Sequence, residues 1–156
     1  MDMNDERRES GKERLDRELT ELLQGLRVAV TGVQVMFAFL LTVPFSARFD
    51  HTTPVQRAFL YAALVTAALA ITFFIAPAAQ HRILFRSGQK GLLVRRSNLF
   101  GICGSVALLA AIGTAVLFVV DVLFSSLLAG LTAGVISLAM AWAWLVQPVL
   151  SSRRAS

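Results

Sequence analysis

The chain has 156 residues, of which 56% are hydrophobic and 16% charged, with a formal net charge of +5. Soluble domains carry roughly 45–50% apolar and about 25% charged residues, and here the apolar excess is gathered into blocks as long as the roughly 20 residues a helix needs to cross a bilayer, which argues against an ordinary soluble globule. The basic residues flank those blocks instead of covering one face, so membrane topology and anionic lipid headgroups explain them and nucleic acid is not expected.

Residues 1–27 are expected to form a charged cytoplasmic segment with alternating signs. Ser10 and Glu13 have the spacing of a capping box, which predicts a helix starting near there. Glu13 and Arg17 stand four apart in the favourable order. Leu15, Leu19, Leu22 and Leu26 recur on one face, so a short amphipathic helix is expected at the membrane surface or on its own bundle. A coiled-coil contact with a partner is the sharper alternative, but the repeat covers under two heptads. A secretory signal has its apolar core near the start; here the first span is expected to act as an uncleaved insertion signal.

Residues 28–150 form the expected membrane domain, with spans at about 28–45, 58–79, 99–119 and 127–146, and 151–156 a short cytoplasmic tail. Pro44 falls near the end of the first span, where a lost helical hydrogen bond is tolerable. A polar loop follows from Ser46 to Pro54. Pro77 is expected in the last turn of the second span. The connector then carries Arg82, Arg86, Lys90, Arg95 and Arg96 without one acid, and Ser87-Gly88 marks a turn. The stretch from Leu99 to Leu150 is too long for one crossing, so it reverses, at about 119–126 around Asp121. Trp142 and Trp144 mark an interface, because indole rings favour the headgroup region. The fold class is therefore all-α: an integral membrane four-helix bundle.

Placing both termini and the basic connector inside leaves Arg48 and Arg57 alone outside, with the other 13 of the 15 Lys and Arg residues inside. That is a strong positive-inside distribution, and the acids of the N-terminal segment count for little in it.

The segment Glu21 to Phe49, ELLQGLRVAVTGVQVMFAFLLTVPFSARF, together with IAPAAQHRILFR from Ile75 to Arg86 and the basic stretch to Arg96, resembles a family of small, uncharacterised bacterial four-span membrane proteins. The likeness in the last two spans is limited to apolar character and the Asp121 reversal. The resemblance implies four helices in a bacterial cytoplasmic membrane and supplies no activity. It also brings in an antiporter-like alternative.

Polar groups inside spans are expensive, so they are the natural candidates for function. Thr31, Gln34, Ala38 and Thr42 share one face of the first span. They are expected to make helix–helix hydrogen bonds, with a polar path as the rival reading. Asp121 is expected to pair with Arg57 or Arg48 and fix the outer helix ends; a proton-accepting role would need burial to raise its pKa. In the fourth span Ser126, Gly130, Gly134, Ser137 and Ala141 make a small-residue stripe containing a G-x-x-x-G. In the third, Gly104, Ala107, Ala111 and Thr114 make a weaker one. Close packing of these two helices on each other is expected, with self-association as the alternative. His81, Arg82 and Arg86 at the inner end of the second span suit topological anchoring or a lipid phosphate. His51 lies across the membrane from His81, so the two cannot share a metal. Cys103, the only cysteine, cannot form an internal disulfide or build a zinc site with other cysteines, and reads as a small buried hydrophobe.

No catalytic constellation, cofactor motif or metal site stands out. The expectation is a non-enzymatic membrane protein acting by association with itself, lipid or a partner. The alternative is a small cation- or proton-coupled transporter. Four-helix exporters of the small multidrug class carry a carboxylate in their first helix, and the first span here has none.

Overall fold

The computed structural model describes the backbone of residues 3–84, 90–147 and 150, and the side chains of residues 17, 20, 21, 23–80, 96–147 and 150. Among the described residues the chain is all-α: α1 (Met3–Thr42), α2 (Pro54–Leu84), α3 (Lys90–Leu123) and α4 (Ser126–Ala141). Each contains a stretch long and apolar enough to cross a membrane: Leu23–Phe45, Pro54–Gln80, Arg96–Leu123 and Ser126–Val146. The protein is therefore a multi-pass membrane protein built on a four-helix bundle.

The helices are longer than the sequence pattern suggested. α1 starts at Met3, not near Ser10, and runs unbroken through 40 residues. At 1.5 Å per residue it is about 60 Å long, twice a hydrocarbon core of about 30 Å. The expected separate amphipathic helix is thus the first half of α1. Gly25, where the composition changes, does not interrupt it. A glycine costs a helix about 0.5–1 kcal/mol, less than leaving backbone groups unpaired at a membrane. The side chains of Ser10, Glu13, Leu15, Leu19 and Leu22 lie outside the described residues; Leu26 packs on the core.

A 3-10 turn at Val43–Phe45, with Pro44 inside it, ends α1. A second such turn at Phe49–His51 leads to α2. That helix begins at Pro54, four residues before the expected start, because Thr53 and Gln56 form a capping box around it. The Thr53 Oγ1 accepts from the Gln56 N–H at 3.2 Å, and the Gln56 Oε1 accepts from the Thr53 N–H at 2.9 Å. Pro54 occupies the first helical position, where its missing N–H costs nothing. α2 then continues to Leu84, so Pro77 lies inside the helix instead of in its last turn. Most of the basic connector is therefore helical: Arg82 belongs to α2, and Lys90, Arg95 and Arg96 belong to α3. Arg86 and the Ser87-Gly88 turn lie outside the described residues.

The reversal between α3 and α4 is shorter than the 119–126 window suggested. Only Phe124 and Ser125 separate α3 from α4. Ser125 is extended (φ −153°, ψ 156°), a conformation open to any residue, so neither Gly nor Pro is required. Its hydroxyl caps α4 by accepting from the Leu128 N–H at 3.4 Å. A single π-helical turn at Trp142–Val146 closes the fourth span.

Buried positions recur by sevens, or by alternating threes and fours: Leu60, Ala63, Ala67, Ala70, Phe74 and Pro77 on α2; Ser97, Gly104, Ala111 and Phe118 on α3; Val33 and Leu40 on α1. That spacing is the one that suits shallow left-handed crossings. α2 and α3 form a central antiparallel hairpin, α1 packs on α2 and also on α3, and α4 packs on α3. The core divides into a cluster around Val33, Ala67, Ala70, Phe74 and Ala111 and another around Leu40, Leu60, Ala63 and Phe118. The alanines of α2 are what let three backbones approach, since helix association in lipid rests on packing and not on expulsion of water.

Candidate functional site

The polar residues predicted for the first span do not enter the bundle. α1 turns Val33 and Leu40 inward, and Thr31, Gln34, Ala38 and Thr42 are all exposed. The Thr31 hydroxyl donates to the Arg27 carbonyl at 3.1 Å and that of Thr42 to the Phe39 carbonyl at 2.7 Å. Both hydroxyls are satisfied within their own helix. These side chains therefore neither bridge helices of this chain nor line a path through it. The face that α1 turns inward is the one carrying Val30, Val33, Met36, Phe37 and Leu40, which pack on the core.

Asp121, the one acid within the four spans, takes a different partner from the one expected. The Asp121 Oδ2 accepts from the Gln56 Nε2 at 2.8 Å, and Ser126 lines the same cleft. The carboxylate makes no ion pair with Arg57 or Arg48 among the described residues. Gln56 and Arg57 are adjacent on α2 and thus about 100° apart around it, so when Gln56 faces α3, Arg57 faces the loop. There the Arg57 Nε donates to the Thr52 Oγ1 at 3.1 Å, and its guanidinium lies 5.2 Å from the centre of the Phe49 ring. Arg48 remains in the loop and is exposed.

Gln56 thus does two jobs. Its amide oxygen is committed to the α2 cap, which leaves the amide NH₂ aimed at Asp121. The carboxylate sits in a cleft of about 650 Å³ where α2, α3 and α4 meet. Thr53, Gln56, Asp121, Ser125 and Ser126 supply its polar wall; Val55, Phe59, Leu117, Phe124 and Ala129 supply its apolar one. Sequence reasoning found Asp121 and missed Gln56. The signal for it was present in the Thr53-Pro54-Val55-Gln56 capping pattern.

The small-residue stripes also sort differently. α4 buries Ala129 and Ala133, while Gly130 and Gly134 are exposed, and a methyl group added at either glycine would meet nothing within 4 Å. Of the three predicted packing residues only Ser137 touches α3, where its Oγ would lie 2.8 Å from a Cβ at Gly113. On α3, Gly104 and Ala111 face away from α4. Gly104 lies under the Phe74 ring of α2, and Ala111 belongs to the cluster with Val33 and Ala67. A shallow groove of about 420 Å³ is left between α3 and α4, lined by Gly113, Thr114, Gly130, Gly134 and Ser137 among others.

The side chains of His81, Arg82 and Arg86 lie outside the described residues. His51 is exposed in the loop and Cys103 is a half-buried free thiol. No group of three or more His, Cys, Asp or Glu side chains gathers among the described residues.

The sequence profile of a family of unknown function (DUF6328) matches residues 8–148, so the chain belongs to that family. No curated protein and no solved structure matches the chain.

Proposed function

We propose that this member of the family is a non-enzymatic protein of the bacterial cytoplasmic membrane that works by associating with a second copy of itself. Both termini and the basic connector are on the cytoplasmic side in this reading. Its support is the distribution of Lys and Arg, which leaves only Arg48 and Arg57 outside. A reporter fused after Ser156 is expected to be active only inside; activity only outside would reverse the topology.

The observation that carries the association is the open surface above Gly130 and Gly134. Glycines four apart on a lipid-facing helix let another backbone come close, and packing gains follow from that closeness. α4 packs on α3, and the groove of about 420 Å³ between them is lined by Gly113 and Thr114 on one side and Gly130 and Gly134 on the other. Laying α4 of each copy into the groove of the other satisfies two-fold symmetry with one self-complementary patch.

Single-molecule photobleaching in lipid nanodiscs or bilayers tests this. The wild type is expected to be dimeric, and Gly130→Leu and Gly134→Leu to be folded monomers. A wild type that stays monomeric across protein densities, or leucine variants that still dimerise, would remove the reading.

A further inference from the structure

The Asp121 carboxylate is held but not neutralised. Its hydrogen-bond donor, the Gln56 amide, is uncharged, and neither arginine at that end of the bundle reaches it. It also occupies the last turn of α3, the end of a helix that favours a cation over an anion. The cleft thus presents an ionised oxygen acceptor at the level where the helices end, together with hydroxyl oxygens of Thr53, Ser125 and Ser126. Opposite them lies an apolar wall that includes Phe59 and Phe124. Such a cleft fits a ligand with a small cationic head and an apolar body.

Donor chemistry narrows the cation further. A divalent metal seeks several carboxylate or imidazole ligands, and among the described residues none gather here. A primary ammonium carries three N–H donors, and the cleft supplies hydrogen-bond acceptors of matching kind. A quaternary ammonium has no N–H to donate, so it keeps the Coulomb attraction of the carboxylate and contact with aromatic faces but makes no hydrogen bond.

We propose that the cleft between α2, α3 and α4 binds a primary ammonium group on Asp121, with an apolar body attached to that group lying against Phe59 and Phe124. The ammonium can belong to an ethanolamine lipid or to a free amine. Gln56 is the positioning residue: locked by the α2 cap, it holds the carboxylate facing the cleft. The proposal does not rest on self-association, because Gly130 and Gly134 take no part in the cleft.

Native mass spectrometry of the full chain released from micelles tests it, with phosphatidylethanolamine and phosphatidylcholine of identical acyl chains. A charge-assisted hydrogen bond at a half-buried site corresponds to about tenfold in affinity. Wild-type protein is expected to retain the ethanolamine lipid about tenfold better than the choline lipid, and Asp121→Asn to lose that preference. Asp121→Asn keeps the shape and an acceptor for Gln56. If that variant does not fold, Val55→Trp, at an exposed rim position, is expected to weaken retention by obstructing the cleft. Added ethanolamine separates the two sources: competition shows that the ammonium group alone suffices, and its failure assigns the site to the intact lipid. Equal retention of the two lipids by wild type, or an undiminished preference in Asp121→Asn, would overturn the proposal. Each result compares lipids or variants within one preparation, so it leaves the dimer reading to its own test.

Discussion

Gly104→Ala is the sharpest probe of the packing. A Cβ at residue 104 would stand 2.5 Å from both Cδ1 and Cε1 of Phe74 and 3.1 Å from its Cζ. Carbon atoms pack at about 3.5–4.0 Å, so the ring has to retreat by about 1 Å. It has little room: Phe74 is 4% exposed and is bounded by Val33, Ala67, Ala70 and Ala111. Forcing a methyl group into a filled core costs about 1–3 kcal/mol. Replacing a helical glycine returns about 0.5–1 kcal/mol. The net expectation is a loss of about 1–2 kcal/mol, which shifts the folded-to-unfolded ratio by about 5–30-fold. Reversible denaturation in mixed micelles, followed by circular dichroism, measures it. Gly101→Ala is the matched control, because its nearest neighbour is the Leu26 Cδ2 at an ordinary 3.7 Å; it is expected to be neutral or slightly stabilised. Phe74→Leu in the Gly104→Ala background is expected to recover part of the loss. Equal midpoints for the two alanine variants, or no coupling between positions 74 and 104, would refute the contact.

Other variants probe the remaining contacts. Ser97 is fully buried and its hydroxyl has no hydrogen-bond partner, and the Gln80 Oε1 is likewise unpaired. Ser97→Ala is therefore expected to raise stability by about 1 kcal/mol in the same denaturation assay; a loss of stability would show that the hydroxyl is satisfied in the membrane. Thr53→Ala removes one arm of the α2 cap and is expected to cost about 1 kcal/mol. Because the same cap holds Gln56 against Asp121, a double-mutant cycle between Thr53→Ala and Asp121→Asn is expected to be non-additive; strict additivity would separate the cap from the carboxylate. Gly113→Ala is expected to be mildly destabilising, with recovery in Ser137→Ala, since the opposing atom is a single movable hydroxyl 2.8 Å from the added methyl.

The number of membrane spans, the loop between the first two and the reversal near Asp121 were legible in the sequence. Hydropathy over about 20 residues reports a crossing directly. Helix ends were not legible, because the physics that sets them is local. Thr53 with Gln56 extends α2 backwards, and the basic residues of the connector are good helix formers that carry α2 and α3 past the apolar blocks. Which face turns inward was also hidden. The expectation put Gly130 and Gly134 against α3, since glycine pairs mark close approach. The alanine row at 63, 67 and 70 carries a stronger version of the same signal, but in a uniformly apolar span alanine does not stand out. Thr31 and Thr42 misled in a similar way: a threonine in a helix can satisfy its hydroxyl on the preceding turn, so its presence does not require a neighbour. At the candidate site, Asp121 was visible as the lone acid. Its partner was not, because opposite charge pointed to arginine while helix geometry delivered glutamine.

The position of Asp121 also bears on transport. A coupled carrier needs its ionisable group near the middle of the bilayer, where two alternating cavities can reach it in turn. Asp121 lies in the last turn of α3, and the middle of the bundle is filled by Ala63, Ala67, Ala70 and Ala111. Opening a path there would mean separating backbones that those alanines hold in contact. Gln34, the remaining mid-span polar side chain of α1, faces away from that core. Three helices thus form a packed unit, and α4 adds a further surface to it. Leu117 connects the two features on that surface, lining the α3–α4 groove on one side and the Asp121 cleft on the other. A shift of α4 along α3 would reshape both together. If the two readings hold jointly, ethanolamine lipid should change the dimer fraction of wild type and leave that of Asp121→Asn unchanged. Photobleaching in nanodiscs of the two lipid compositions measures it, and an identical response in both proteins would show that the cleft and the groove act separately.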